Sequence, residues 1–252
     1  MSTYVGVDWA SGCWIAFALD DAGATDDGWA VGTYPAMLNV WHEYRQADWI
    51  LVDVPVGLPD DGVRECDELA RAELGPRGSS VFETPCRAAV EADSYDEARD
   101  LNADALGRGI SAQAWGIVPR IREVDVFLAE HEDADGTIRE SHPELCFQGL
   151  DVAGRIDASK HDAAGLEQRK DVLAAVDPAM ASVYDRIERE YVEVDPAFAR
   201  PISTNARDDV LDAMALALTA READGDFETL PESPPRDADG RRMEIVYHEH
   251  TP

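Results

Sequence analysis

The segment Trp49-Ile50-Leu51-Val52-Asp53-Val54 is apolar at every position but one. A strand with one wet face alternates polar and apolar residues, so a run apolar in both parities belongs to a central strand covered on both sides. That demand points to an α/β architecture, a sheet with helices against it. It also draws attention to the single acid, Asp53, at the end of the run.

The flanking sequence completes such a sheet. Tyr4–Asp8, Trp14–Leu19 and Trp29–Tyr34 are β-rich, and Asp20-Asp21-Ala22-Gly23 reads as a turn. With a helical segment over 37–46, the order is a three-strand meander, a helix, then the buried strand. From Asp60 to about His131 the composition shifts to helix formers, with helices over 64–74, 95–106 and 117–130 and a loop beginning in Gly75-Pro76-Arg77-Gly78-Ser79-Ser80-Val81-Phe82. Residues 60–131 therefore read as a helical insertion after the fourth strand, within a single domain spanning 1–252. A strand near 137–141, helices over 163–176 and 180–190, a helix from about 207 and a strand-like run over 242–247 follow.

The chain carries 52 acids against 22 bases, a net charge of −30, and two of those bases are lysines, Lys160 and Lys170. Self-repulsion of this size destabilises a compact state in dilute buffer, whereas at molar salt the Debye length is only ~3 Å. With 45% hydrophobic residues the chain is no disordered acidic polymer. An acid-coated, lysine-poor protein adapted to high salt is the reading that fits. Phosphate binding by counterion release fades in such salt, so the acidity does not argue against a nucleic-acid substrate. Cys13, Cys66, Cys86 and Cys146 form no CxxC pair, which predicts free thiols rather than disulfides or zinc. With no signal peptide and no stretch of membrane-spanning length, the expectation is a cytoplasmic protein with no membrane partner.

The chemistry resides in acids. In Asp208-Asp209-Val210-Leu211-Asp212, helical spacing makes Asp209 and Asp212 neighbours, and Asp208 and Asp212 likewise. Either the positive end of the helix macrodipole or a divalent cation could make that cluster tolerable. Asp8 and Asp53 each end a strand; if those strands are adjacent and parallel, both carboxylates emerge at one sheet edge, where open α/β sheets place ligands. Glu140-Ser141-His142-Pro143-Glu144 adds acids after a later strand, with proline biasing the preceding backbone toward extended or turn geometry. Asp8, Asp53, Glu140 or Glu144, and Asp209 or Asp212 are thus four acid positions from four elements. Carboxylates converge in this way around Mg²⁺ or Mn²⁺, and two such ions can activate a water and stabilise the leaving oxygen of a phosphodiester.

Taken in order, Gly6-Val7-Asp8-Trp9-Ala10, Val52-Asp53-Val54-Pro55-Val56-Gly57-Leu58-Pro59, Arg77-Gly78-Ser79-Ser80-Val81-Phe82, Glu140-Ser141-His142-Pro143-Glu144 and Asp209-Val210-Leu211-Asp212-Ala213 resemble an uncharacterised bacterial and archaeal domain family labelled as predicted nucleases of ribonuclease H-like fold. The resemblance runs from Tyr4 to about Ala220, and the acid-coated surface makes this chain similar to a haloarchaeal-type member. It implies a ribonuclease H-like mixed sheet flanked by helices and a nuclease using Asp8, Asp53, Asp209 and Asp212 for metal, with Glu140 in support. The Asp-x-x-Asp-Ala helix is also similar to the last helix of Holliday-junction resolvases of this fold, a likeness that favours Asp209 and Asp212 over Asp208. Arg77, Ser79 and Ser80 could offer a guanidinium and backbone N–H groups to a phosphate. His142, Glu144 and Lys160 are further substrate-side candidates, and Arg87, Arg169 and the Gly107–Gln113 segment stand out as well.

Two other functions share this core fold. A phosphotransferase or ATPase of the actin-like branch needs a Gly-rich phosphate hairpin after the first strand, and Trp9-Ala10-Ser11-Gly12-Cys13-Trp14 is a poor one. A non-catalytic binding protein would use the acids for a structural ion or for solvation. A nucleic acid is the expected substrate of a nuclease, and cutting a junction symmetrically would require a homodimer.

Overall fold

A computed structural model describes residues 2–10, 12–24 and 28–250; Ser11 of the first hairpin lies outside them. The elements in chain order are β1 (Thr3–Ala10), β2 (Cys13–Asp20), β3 (Trp29–Tyr34), α1 (Met37–Tyr44), β4 (Trp49–Val52), α2 (Glu65–Leu74), α3 (Arg87–Glu91), α4 (Tyr95–Leu106) and α5 (Ala112–Glu130). They continue with β5 (Ile138–Glu140), α6 (Pro143–Leu150), α7 (Ala163–Val176), α8 (Met180–Ile187), α9 (Arg207–Ala223), β6 (Glu228–Leu230) and β7 (Ile245–Tyr247). The fold is mixed α/β. The chain divides into two compact units, one formed by residues 1–53, 143–227 and 247–252, the other by 54–142 and 228–246. The segment 60–131 falls inside the second.

In the first unit four strands lie in the order β3-β2-β1-β4, antiparallel as far as β1 and parallel between β1 and β4. Ile50, Leu51 and Val52 are fully buried, as a run apolar in both parities requires. The β1–β4 pairing matches Val7 with Val52, and the Asp53 N–H donates to the Val7 carbonyl at 3.0 Å just beyond it. Asp8, two residues before the end of β1, and Asp53, just past β4, therefore lie side by side where the parallel pairing ends.

Helix α9 is buried all round from Val210 to Ala220, because β1, β2 and β4 cover one side and α6 and α7 another. Its approach to β1 depends on Gly6: a Cβ there would sit 2.0 Å from the Ala213 carbonyl oxygen and 2.5 Å from the Ala217 nitrogen. The obstacles are backbone atoms that cannot swing away. Gly6→Ala is expected to destabilise the first unit by about 3 kcal/mol, the upper part of the overpacking range, read as a fall in the denaturant midpoint. A midpoint unchanged from wild type would show that helix and strand can separate without loss.

The second unit packs α3 against α4 and α5. Helices α4 and α5 start on serine caps, Ser94 Oγ accepting from the Glu97 N–H at 3.3 Å and Ser111 Oγ from the Ala114 N–H at 3.0 Å. The Ser111 cap starts α5 at Ala112, five residues earlier than the periodicity around Pro119 indicates. The expected loop after Leu74 begins as a 3₁₀ turn over Gly75–Ser80. The sequence reading misses α3, α6 and β6, all eight residues or shorter, too short for a periodicity to register. His142 stays outside the helix, as a residue before proline favours. Pro143 opens α6, where its missing N–H is one that a helix leaves unpaired anyway. No helix among the described residues is long and apolar enough to cross a membrane.

Candidate metal centre

The close contact at Gly6 fixes where the acids fall. Side chains two apart on a strand share a face, so Asp8 lies on the Gly6 face, ~7 Å further along β1. One helical turn, ~5.4 Å, back from Ala213 and Leu216 along α9 gives Asp209 and Asp212. Strand and helix run in opposite directions here, so the end of β1 meets the start of α9. Asp8, Asp53, Asp209 and Asp212 consequently lie close enough for their charges to act on one another.

Asp8 and Asp212 are buried, while Asp53 and Asp209 retain partial exposure. Burial, then repulsion from Asp53, Asp212 and Asp209, drives the Asp8 carboxyl well above the usual range. Burial also lifts Asp53 to about 6, with Lys160 pulling against it and Glu144 adding to it. Asp212 rises to about 6 by burial, opposed by Lys160. Asp209 reaches about 7 through burial and the nearby Asp208 and Asp212. Asp8 Oδ1 accepts from the Trp9 N–H at 2.6 Å, and Asp212 Oδ2 accepts from Lys160 Nζ at 2.6 Å. Asp212 Oδ1 is buried with no hydrogen-bond partner. A buried, unpartnered carboxylate oxygen among repelling acids fits a hard divalent cation, whose preferred donors are oxygens.

The raised values make a pH prediction for the metal-free protein. Groups whose carboxyls hold protons more tightly when folded favour the fold below the unfolded value near 3.8, and that advantage disappears as pH rises through 6 to 7. A two-unit shift corresponds to ~3 kcal/mol, shared rather than added among interacting groups. In EDTA and molar KCl the melting temperature should fall between pH 4 and pH 8, and Mn²⁺ should reverse the fall at pH 8 but not at pH 5. A flat profile in EDTA would mean the acids do not repel.

The remaining sequence candidates have distinct placements. Glu144, in α6, acts on Asp53 and Asp212 and is itself paired with Arg169 Nη2. Glu140 sits in the second unit, where Arg64 Nη2 donates to Oε1 at 2.6 Å, and Arg64 Nη1 and the Val56 N–H donate to Oε2 at 2.8 and 2.6 Å. Arg64 also donates through Nε and Nη2 to Asp67 Oδ1 at 3.1 and 2.6 Å. Burial opposes the Arg64 charge, but Asp67 and Glu140 outweigh it and hold its pKa well above the usual arginine value. Sequence reading missed this buried triad; Arg-x-x-Asp at the start of α2 was its one local trace. Arg77, Ser79 and Ser80 belong to the 3₁₀ turn, with Ser80 Oγ donating to the Arg77 carbonyl at 2.9 Å. His142 is half-buried, and Asp208 lies in the first turn of α9, 3.4 Å from His161 Nδ1. Lys160 pairs with Asp212 Oδ2 and keeps a partly exposed side chain.

Among the described residues the acidic trio whose ligand atoms all lie within 4.8 Å of one another is not this one but Asp125, Asp237 and Asp239. Arginines already neutralise that trio. Arg87 bridges to all three at 2.7 to 3.0 Å, and Arg241 pairs with Asp125. Asp237 further accepts from the Leu58, Asp239 and Arg241 N–H groups. The ion pairs link α3 and α5 to the loop holding Asp237, Asp239 and Arg241. No curated protein and no solved structure matches the chain. A family model described as "Protein of unknown function (DUF429)" matches residues 6–236, from just before Asp8 to beyond Asp212, and the chain belongs to that family.

Proposed function

We propose that this protein is a divalent-metal-dependent nuclease of ribonuclease H-like fold, hydrolysing phosphodiester bonds at the Asp8–Asp53–Asp209–Asp212 cluster. The observation that carries the reading is the meeting of acids from two parallel strand ends and one helix start, with Asp212 Oδ1 buried and unpartnered. Asp8, Asp53 and Asp212 would hold Mg²⁺ or Mn²⁺, with Asp209 completing the set. The bound ion would supply Lewis acidity and lower the pKa of water. The chain's own residues set the position and charge of the site: the Trp9 N–H fixes one Asp8 oxygen, Arg169 holds Glu144 beside Asp53 and Asp212, and Lys160 orients Asp212.

The actin-like alternative has little room here. β1 and β2 pair as far as Ala10 and Cys13, so two positions of sequence separate the strands where a phosphate-binding loop would have to sit. The high net negative charge and scarcity of lysine fit a haloarchaeal-type protein working in molar salt, so that is where activity should be sought. The test is a panel of single-stranded, duplex and junction DNA and RNA in molar KCl with Mg²⁺ or Mn²⁺. Cleavage that EDTA abolishes supports the reading; no cleavage of any substrate with either metal contradicts it.

A further inference from the structure

We propose that the second unit carries a binding site for hydrogen phosphate, formed by Arg236, Arg242 and Glu244. The inference stands apart from the metal-centre reading and uses none of its residues. Arg139, Arg236, Arg242, Glu140 and Glu244 all stand in the wall of one cavity of about 60 Å³ in this unit. At ~30 Å³ per water that is room for a small polyatomic ion. It is far below the ~300–1,000 Å³ of a pocket for a drug-sized ligand. The polar groups of the wall are unevenly satisfied. Glu140 accepts from Arg64 and the Val56 N–H at both oxygens. Arg139 Nε and Nη2 lie 2.9 and 2.8 Å from Glu244 Oε1. Glu244 Oε2, on a residue only 4% exposed, is buried with no hydrogen-bond partner. The exposed Asp135 is the remaining acid of the wall.

Two guanidinium groups supply the attraction. Arg236 and Arg242 are partners across an antiparallel bridge, in a hairpin closed by the Asp237 N–H to the Arg241 carbonyl and the Met243 N–H to the Pro235 carbonyl, both at 2.9 Å. Side chains opposite one another share a face, and like charges there weaken the pairing. Arg236 Nη1 donates to the Gly240 carbonyl, and Arg242 comes only to 3.9 Å from Glu244 Oε1, too far for a hydrogen bond. An anion held by both arginines offsets their repulsion with charge-assisted bonds. Glu244 then selects the anion. A carboxylate oxygen can only accept, so Oε2 repels an oxyanion without a proton and takes a bond from one that carries O–H. Sulfate has no proton near neutral pH, whereas hydrogen phosphate keeps one. A phosphomonoester loses its last proton near a pKa of ~6, so the same wall accepts a terminal phosphate in acid and rejects it in base. Three arginines in the wall disfavour a metal cation at Oε2.

The experiment is calorimetric titration of the full-length protein in molar KCl with EDTA, so that no metal-held phosphate adds to the signal. Inorganic phosphate, sulfate and methyl phosphate are the probes, at pH 8 and pH 5.5. One phosphate per chain at pH 8, bound at least ~10-fold tighter than sulfate, is the expected result, the loss of one bond to a charged group being worth about that factor. Methyl phosphate should bind at pH 5.5 and not at pH 8. Glu244→Gln should erase the preference for phosphate over sulfate, and Arg242→Met should weaken phosphate at least ~10-fold. Equal affinity for phosphate and sulfate in wild type overturns the inference, as does an unchanged preference in folded Glu244→Gln. Methyl phosphate bound equally at both pH values, or phosphate binding indifferent to Arg242→Met, overturns it as well. No binding of any probe means that the cavity holds water only, and the inference falls. If Glu244→Gln fails to fold, the wild-type preference and the half-exposed Arg242 decide. Cleavage and Mn²⁺ binding judge the nuclease reading separately.

Discussion

Asp8→Asn is expected to lower cleavage by at least ~100-fold, more than the loss typical of an outer-shell partner, because it removes a direct oxygen donor. The same change should make the metal-free protein more stable at pH 8, because it removes a buried negative charge that Asp53, Asp212 and Asp209 repel. Activity and stability moving in opposite directions is the signature of a site built against the fold's own preference. A structural acid would lose both together. Cleavage at the wild-type rate by folded Asp8→Asn, in molar KCl with Mn²⁺, would remove Asp8 from the site.

Arg64→Met is expected to cost ~3–5 kcal/mol, because Asp67 and Glu140 are left buried without their cation. For a chain of this size that corresponds to a fall of ~10 °C or more in melting temperature. The damage should centre on the second unit, where faster hydrogen exchange of α2 and of the Val56 N–H would locate it. Glu140→Gln makes a milder version of the same defect, since the amide can still accept from Arg64 but without charge. Glu140→Gln should therefore lower stability in proportion to any fall in cleavage. A large loss of cleavage with unchanged stability would instead return Glu140 to a catalytic role.

What was legible in the sequence follows from which interactions are local. The strand over 49–52 could be read because burial on both faces leaves a run of apolar residues, and the hairpin strands because they are β-rich and bounded by a turn. The meeting of Asp8 with Asp53 was conditional on two strands being parallel neighbours, which a helix between them makes the ordinary outcome. Asp209 and Asp212 stood out through repulsion at helical spacing, and Gly6 is what lets α9 reach them to Asp8. The partners of the acids were not legible. Lys160 and Asp212 are 52 positions apart, Arg64 and Glu140 76, and no periodicity links them. For that reason nothing local separated Glu140, whose oxygens accept from Arg64 and the Val56 N–H, from Glu144, the second residue of α6.

The central claim is that the cluster at the end of β1 and the start of α9 holds a divalent metal. Crystals grown in high salt and soaked with Mn²⁺ test it by anomalous scattering. A peak within bonding distance of Asp8, Asp53 and Asp212 Oδ1 is the predicted result. No peak there, or a peak only at Asp125, Asp237 and Asp239, would contradict it.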